Sequence, residues 1–240
     1  MAAVILSARG LTRHFGGLKA VDGVDFDLQQ GDIHALIGPN GAGKTTFVSL
    51  LSGRTPAQSG TITLAGRDIT RLPAHARVRA GIAYTFQITS IYPRLTVFDN
   101  AALAVQRENP PDLHAATMAA LSRTGLDARA QQVAGTLSYG HQRLVEITMG
   151  LALAPRVLIL DEPTQGLAAS EIEGFKTLIR ALAPATTVLL IEHNMEVVMD
   201  LADRITVLNF GRRLATGTPA EIRANPAVQA SYLGTPHAAA

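Results

Sequence analysis

The chain has no cysteine in its 240 residues. That excludes disulfides and thiolate metal sites and agrees with a reducing compartment. It also has no apolar run approaching the roughly 18 residues of a membrane span, although 47% of its residues are apolar. The segment Met1 to Leu6 is too short for a signal peptide, and Arg9 follows it where a small-residue cleavage site would stand. A cytoplasmic protein is therefore expected. Neither sign of charge dominates: 21 basic residues against 19 acidic ones leave a net charge of +2. A nucleic-acid binder usually concentrates its basic residues on one face. The nearest candidates, Arg67, Arg71, Arg77 and Arg79, are interrupted by apolar residues, so they read as a solvated face and no nucleic-acid partner is expected. The guanine-reading pattern N-K-x-D is missing, which argues against a GTPase. There is no internal repeat, low-complexity tract or long linker. The length allows a full core with a subdomain. High apolar content without a span predicts that a partner covers some apolar surface.

What is present starts with Gly38-Pro39-Asn40-Gly41-Ala42-Gly43-Lys44-Thr45-Thr46. It fits the phosphate-loop pattern G-x-x-x-x-G-K-[ST], with a strand-like run at Ile33 to Ile37 before it and a helix-like run at Thr45 to Ser52 after it. Glycines let successive backbone N–H groups turn inward toward a phosphate. The helix start adds partial positive charge. Lys44 supplies a full charge to the outer phosphates, and the Thr45 hydroxyl is placed for Mg²⁺. A nucleoside triphosphate is the expected ligand.

The rest of the pattern gives the fold class. Val4 to Arg9 and Val24 to Leu28 read as antiparallel strands, and Gly60 to Gly66 as another. Pro73 is expected to open a short helix. Ile82 to Phe86 reads as a buried strand. From Thr96 to Leu153 the period is helical: Thr96-x-x-Asp99 resembles a capping box, and helices are expected at Leu113 to Arg123 and Gly140 to Leu153. Strands return at Val157 to Leu160, Thr187 to Ile191, Ile205 to Leu208 and Arg213 to Thr216. The run Thr187 to Ile191 is apolar enough to be covered on both faces. Short helices are expected from Thr218 to Leu233, with Pro219 and Pro226 near their starts. The fold class is α/β: a phosphate-loop core with a mostly parallel sheet, an N-terminal antiparallel β-subdomain and an inserted helical subdomain.

Further residues carry chemistry. Leu160-Asp161-Glu162-Pro163 ends an apolar strand, the end at which parallel strands meet ligands. Asp161 is assigned to Mg²⁺ and Glu162 to orienting and deprotonating the attacking water. Ser138, in Leu137-Ser138-Tyr139-Gly140-His141-Gln142, caps a helix at the least. With the Gly140 backbone it also offers a second phosphate-binding surface. One γ-phosphate does not need two such surfaces in one chain, so a head-to-tail dimer is expected, with each nucleotide between one phosphate loop and the facing Ser138. His193 follows the strand ending at Ile191, where an imidazole can donate to a γ-phosphate without a fixed charge. Gln87, after Phe86, can coordinate Mg²⁺ and contact water.

Taken in order, GPNGAGKTT, Gln87, LSYGHQ, VLILDEP and His193 resemble the nucleotide-binding subunit of ATP-binding cassette (ABC) transporters over nearly the whole chain. The resemblance implies one ABC ATPase domain over 1–240. Its core and β-subdomain would be 1–87 and 154–217, its helical subdomain 88–153 and its C-terminal tail 218–240. It implies that Phe15 stacks on adenine and that Gly38, Pro39, Asn40, Gly41, Ala42, Gly43, Lys44, Thr45 and Thr46 hold the phosphates. Ser138 and Gly140 would bind from the facing subunit. Mg²⁺ would be handled by Thr45, Gln87 and Asp161, with Glu162 as catalytic base, His193 as switch histidine, and Lys44 and Gln87 completing the catalytic set. It further implies ATP hydrolysis, a peripheral position on the inner face of the membrane, transmembrane permease subunits, an ATPase partner that is a second copy or a paralogue, and indirectly a solute-binding protein. His14 to Val21, Ile191 to Met195 and Gly217 to Ile222 are similar to importers of branched-chain amino acids and related small polar solutes. Ser90 to Asn100 also resembles the ATPase of a lipopolysaccharide exporter. A cassette ATPase of DNA repair or chromosome maintenance is the alternative outside transport. Two motifs depart from the family: Tyr139 and His141 replace the usual signature residues, and Gln165-Gly166-Leu167-Ala168 lacks the usual acid.

Overall fold

The computed structural model describes residues 3–85, 90–183 and 185–233. Strands β1 (Val4–Phe15) and β2 (Leu18–Gln29) form one long hairpin, well beyond the two short strands expected. They join β4 (Ser59–Leu64) and β5 (Arg67–Asp68) in an antiparallel sheet ordered β2-β1-β4-β5. The second sheet has β3 (Ile33–Ile37) at its centre, with β6 (Ile82–Thr85), β7 (Val157–Asp161), β8 (Thr187–Ile191), β9 (Arg204–Asn209) and β10 (Arg212–Gly217). Its order is β10-β9-β3-β8-β7-β6; every pair is parallel except β9 with β10.

The strand period explains how the core divides. In β7 and β8, Val157, Ile159, Leu189 and Ile191 face the cluster shared with the antiparallel sheet and with α1 (Lys44–Ser52). Their neighbours Leu158, Leu160, Val188 and Leu190 face the opposite side, against α5 (Tyr139–Ala152) and α6 (Ala169–Leu182). Successive side chains in a strand point to opposite faces, so a strand buried on both sides must be apolar throughout. A third cluster packs β3 and β9 against α7 (Met195–Leu201), α8 (Pro219–Ala224) and α9 (Pro226–Val228). Both prolines occupy the first helical turn, as expected.

The helical region has its own cluster. Val97 and Ala101 of α3 (Val97–Val105) meet Leu121 of α4 (Leu113–Ser122) and Val145 of α5. The capping box at Thr96 and Asp99 is present in both directions. Buried Asn100 pins the preceding loop by exchanging hydrogen bonds with both backbone groups of Tyr92 and donating to the Thr96 carbonyl.

Two expectations are corrected. Arg77, on α2 (Ala74–Ala80), does not lie on a solvated face. It is buried, with Nη1 on the carbonyls of Leu50 and Leu51 at the end of α1, Nε on Leu72 and Nη2 on Thr70. A helix end leaves carbonyls without intrahelical partners, and a guanidinium can satisfy several at once. Pro73 stands at the N-cap of α2, one residue before its first turn. Among the described residues no helix is long and apolar enough to cross a membrane.

Candidate functional site

The phosphate loop joins β3 to α1, and its geometry is set by backbone. A side-chain carbon on Gly38 (φ +153°) would run into the Leu208 carbonyl of β9; one on Gly43 (φ +99°) would run into the Ala20 carbonyl of β2. Gly41 (φ +78°) faces open space, so that stretch of loop keeps room for a ligand. The Gly211 N–H donates to the Ala42 carbonyl at 3.0 Å, fastening the β9–β10 turn to the loop. Lys44 opens α1 and folds back, its Nζ donating to the carbonyls of Gly38 (2.6 Å) and Pro39 (3.2 Å). Burial lowers the Lys44 pKa, and the charges of Glu162 and Asp161 oppose that shift. The ammonium therefore sits within the field of both carboxylates. Thr45 is exposed at the same helix start.

Parallel strands bring the acids and the histidine to the same edge. Asp161 is buried at the last position of β7. Glu162 follows with φ +46°, a left-handed conformation that costs an L-residue of order 1–3 kcal/mol. Its N–H is held by the Ile191 carbonyl at 2.9 Å, so the end of β8 sustains that conformation. The Nδ1 of His193 lies 3.8 Å from Glu162 Oε2, with the imidazole more than half exposed. Lys44, Asp161, Glu162 and His193 thus share the end of the sheet, as the motif spacing predicts. Phe15, at the end of β1, presents a half-exposed ring whose other neighbour is the Arg13 guanidinium, 4.9 Å from the ring centre. A flat ring so placed can stack a base. Gln87 lies outside the described residues.

Ser138 and Gly140 sit at the start of α5, and their partners are elsewhere. Ser138 accepts from the His141 N–H, lies 2.8 Å from His141 Nδ1 and donates to Glu171 Oε1 at 3.4 Å. A side-chain carbon on Gly140 would meet the Glu171 carboxylate, and one on Gly166 would touch the Tyr139 ring at 3.3 Å. Tyr139 of the altered signature and Gly166 of the segment that lacks the usual acid therefore pack on each other within one chain. None of these partners belongs to the phosphate loop.

Four residues at this site were not anticipated. Glu192, buried between β8 and α7, accepts from Thr164 N (2.9 Å) and Oγ1 (2.5 Å), and from the N–H groups of His193 and Asn194. It ties the turn after β7 to the histidine loop. Tyr84 of β6 donates its hydroxyl to Asp161 Oδ2 at 2.5 Å; burial and that carboxylate hold its phenol proton well above the usual range. Arg143 of α5, fully buried, donates to the Asp161 carbonyl at 2.6 Å and pairs with Glu146 at 2.5 Å. Glu171, whose carboxylate reaches back to accept from the Ala168 N–H at the start of α6, is the fourth. Only Tyr84 carried a sequence signal, a polar hydroxyl in a buried strand; Arg143 and Glu171 stand among other polar residues of their helices and Glu192 lies between elements.

Between α2, β6, α3 and α5 opens a groove of about 600 Å³. Val78, Ile91, Tyr92, Leu103 and Met149 line it, with Arg54 and Glu146 as charged members.

The arrangement agrees with what the chain is similar to. A family model described as "ABC transporter" matches residues 21–165, and one described as "Branched-chain amino acid ATP-binding cassette transporter" matches residues 212–238. A high-affinity branched-chain amino acid transport ATP-binding protein of Pseudomonas aeruginosa, BraF, is 40% identical over 98% of this chain and 99% of that protein. The corresponding LivG protein of Escherichia coli is 39% identical over the same shares. The solved ADP conformation of MJ1267, an ATP-binding cassette of an ABC transporter, superposes with a TM-score of 0.87. It is 27% identical, over 98% of this chain and all of that one.

Proposed function

We propose a transport function on one premise: this chain belongs to the ABC transporter family and is its ATP-hydrolysing kind of subunit. The cargo we infer is a branched-chain amino acid or a related small polar solute. The similarity to BraF and LivG over almost the whole of each chain supports that choice over lipopolysaccharide export, as does the match of residues 212–238 to a branched-chain transporter model.

One observation carries the mechanism: Lys44, Asp161, Glu162 and His193 converge at one sheet edge while Ser138 and Gly140 open a separate helix. The phosphate loop and Lys44 bind the triphosphate, and Phe15 stacks on its base. Lys44 exchanges its two loop carbonyls for phosphate oxygens, which a half-buried ammonium gains from strongly. Glu162 takes the proton of the attacking water, and His193, 3.8 Å away, orients that carboxylate and donates to the γ-phosphate. The residues present fit Mg²⁺: Thr45, Asp161 and Gln87 would hold it together with the phosphates, in keeping with a cation that uses few protein ligands. When bound it supplies positive charge against the charge spread over the transferring phosphoryl oxygens. A second subunit, a copy or a paralogue, contributes Ser138 and Gly140 across the nucleotide, so ATP closes a dimer and product release reopens it.

The groove bordered by Ser90, Ile91 and Tyr92 receives a cytoplasmic helix of the permease. Its apolar wall suits one face of such a helix, and Arg54, Arg107 and Glu146 suit a polar flank. The helical segment 88–153 moves as a unit against the core, the tail 218–240 completes the domain, and the assembly sits on the inner face of the membrane with a solute-binding protein on the other side. Purification in mild detergent tests this reading. Two importer-type permease subunits and a second ATPase should co-purify. Exporter subunits, or ATPase stimulation by DNA in place of a membrane partner, would overturn it.

A further inference from the structure

Two separate contacts run from the groove wall to Asp161. On one side Tyr84, a lining residue, donates its hydroxyl to Oδ2 at 2.5 Å, while the Arg54 guanidinium, also lining, lies 4.9 Å from the Tyr84 ring centre. On the other side Glu146 lines the groove and pairs with Arg143, whose second nitrogen donates to the Asp161 carbonyl at 2.6 Å. Asp161 is thus held at its side chain by a groove-lining residue, Tyr84, and at its backbone by Arg143, whose partner Glu146 lines the groove, in addition to its place at the end of β7. Tyr84 lies beside it because β6 and β7 run parallel with Tyr84 opposite Ile159.

We propose that Tyr84 and the Arg143–Glu146 pair are positioning residues that link the groove to the Mg²⁺ carboxylate, so that what fills the groove sets the site's affinity for the metal. A carboxylate that rotates freely offers a metal or its bound water a lone pair only part of the time. Fixing one oxygen with a phenol leaves the other aimed, and losing such an outer hydrogen bond typically costs about 10–100-fold in metal affinity. The groove can reach that bond because Tyr84 has its ring on the groove and its hydroxyl on the acid. This inference rests on the reading of the groove as the permease site only for the identity of the occupant; the link to the metal stands or falls separately.

The test uses the full chain alone, Mn²⁺ as the metal and a fluorescent ATP analogue as the nucleotide. Tyr84→Phe keeps the ring and removes the donor. The Mn²⁺ concentration for half-saturation, read by electron paramagnetic resonance, should rise about tenfold, with metal-free nucleotide affinity unchanged within twofold. Because the chain has no cysteine, Leu103→Cys on the groove wall, 40% exposed, can be labelled uniquely with a bulky maleimide. The adduct should shift Mn²⁺ half-saturation at least threefold with Tyr84 present and leave it unchanged in the Tyr84→Phe background. Half-saturation that moves less than twofold or tightens in Tyr84→Phe overturns the proposal. So does an equal loss of metal-free nucleotide binding, or an adduct effect that is the same in both backgrounds. Should Tyr84→Phe fail to fold, wild-type protein carrying 3-fluorotyrosine decides: Mg²⁺ added to the nucleotide complex must shift the Tyr84 fluorine resonance, assigned by elimination with Phe variants of the other tyrosines, and no shift overturns the idea. Loss of permease co-purification would leave these metal results standing, which separates the two failures.

Discussion

The phosphate loop and the start of α5, the two halves of the proposed nucleotide site, both carry glycines, yet they are built differently. At Gly38 and Gly43 the atoms that forbid a side chain are main-chain carbonyls of β9 and β2. At Gly140 the forbidding atoms are the carboxylate of Glu171, the end of a flexible side chain. The first half of the site is walled by sheet backbone, which cannot yield without moving strands. The second is walled by side chains, with Tyr139 on Gly166 and Ser138 on Glu171. A half that binds nucleotide on its own benefits from a fixed cradle. If, as proposed above, the other half meets a facing subunit and then lets go, it benefits from parts that can shift.

Paired substitutions put that contrast at risk, and they carry the largest expected effect. Gly43→Ala forces an L-residue into φ +99° against a main-chain oxygen. Displacing the loop breaks hydrogen bonds to the charged phosphates worth about 1.5–3 kcal/mol each, so nucleotide affinity of the isolated chain should fall by about 10–100-fold. The strained backbone should also lower stability by about 1–3 kcal/mol. Gly140→Ala sits in a helix without positive φ and needs only Glu171 to swing aside. Its isolated chain should bind nucleotide within twofold of wild type, while turnover of the assembled transporter falls about tenfold or more, since assembly needs that surface. Titration with a fluorescent ATP analogue and phosphate release measure the two quantities. Equal loss of nucleotide binding in both variants would erase the distinction.

The rigid half should also carry a pH signature. His34, in β3 directly before the loop, is buried against Phe26, with Nε2 2.8 Å from Thr206 Oγ1 and no partner for Nδ1 among the described residues. Burial first, and the Arg204 charge second, push its pKa down to about 3. The folded value lies below the unfolded one of about 6.5. Stability is therefore complete above that value and is lost as pH falls from there toward 3, at about 1.4 kcal/mol per pH unit. At pH 5 this is about 2 kcal/mol. Urea unfolding at pH 7 and pH 5 should show that loss in the wild type and not in His34→Gln. Parallel losses in both proteins would place the acid sensitivity elsewhere. Amide exchange at pH 5 sharpens the point: β3 and β9 should open before α3 and α4.

The same division decides what could be read from the sequence. The phosphate loop, the Asp161-Glu162 pair and the buried strands were legible because each is a local pattern: glycines at fixed offsets, acids ending an apolar run. The helix α6 was missed, although Ile172, Phe175, Leu178, Ile179 and Leu182 have helical spacing. Its N-cap is Ala168, without a capping side chain, and Gly174 interrupts it, so both usual punctuation signals misled. The short helix α7 went unnamed too, although Asn194 caps it. Arg77, Tyr84, Arg143 and Glu192 were illegible for a different reason. Each has at least one partner between 5 and 77 residues away, a backbone carbonyl, a backbone N–H group or a single carboxylate. Only the packed sheet says which polar residue in an apolar element will meet them. The side-chain-walled half is accordingly the half in which structure adds most.

The smallest expected effect concerns the turn that fastens the rigid half. Phe210 (φ +45°) and Gly211 (φ +74°) form a two-residue turn between the paired residues Asn209 and Arg212. Both central residues are left-handed, the geometry that Asn-Gly suits and a bulky ring does not. The Phe210 ring gains nothing from the chain itself, being 84% exposed. The turn meets the phosphate loop through backbone alone: Gly211 N–H to the Ala42 carbonyl at 3.0 Å, and Asp22 N–H to the Gly211 carbonyl at 2.8 Å. Relieving the left-handed strain should therefore help the fold and leave the cradle alone. Phe210→Asn is expected to stabilise by about 0.5–1 kcal/mol, a rise of about 1–4 °C in Tm by calorimetry, with nucleotide affinity unchanged within twofold. A stabilised variant that bound nucleotide several-fold more weakly would mean that an exposed ring belongs to the site. The rigid half would then depend on a side chain after all, and the contrast with Gly140 and Glu171 would be one of degree.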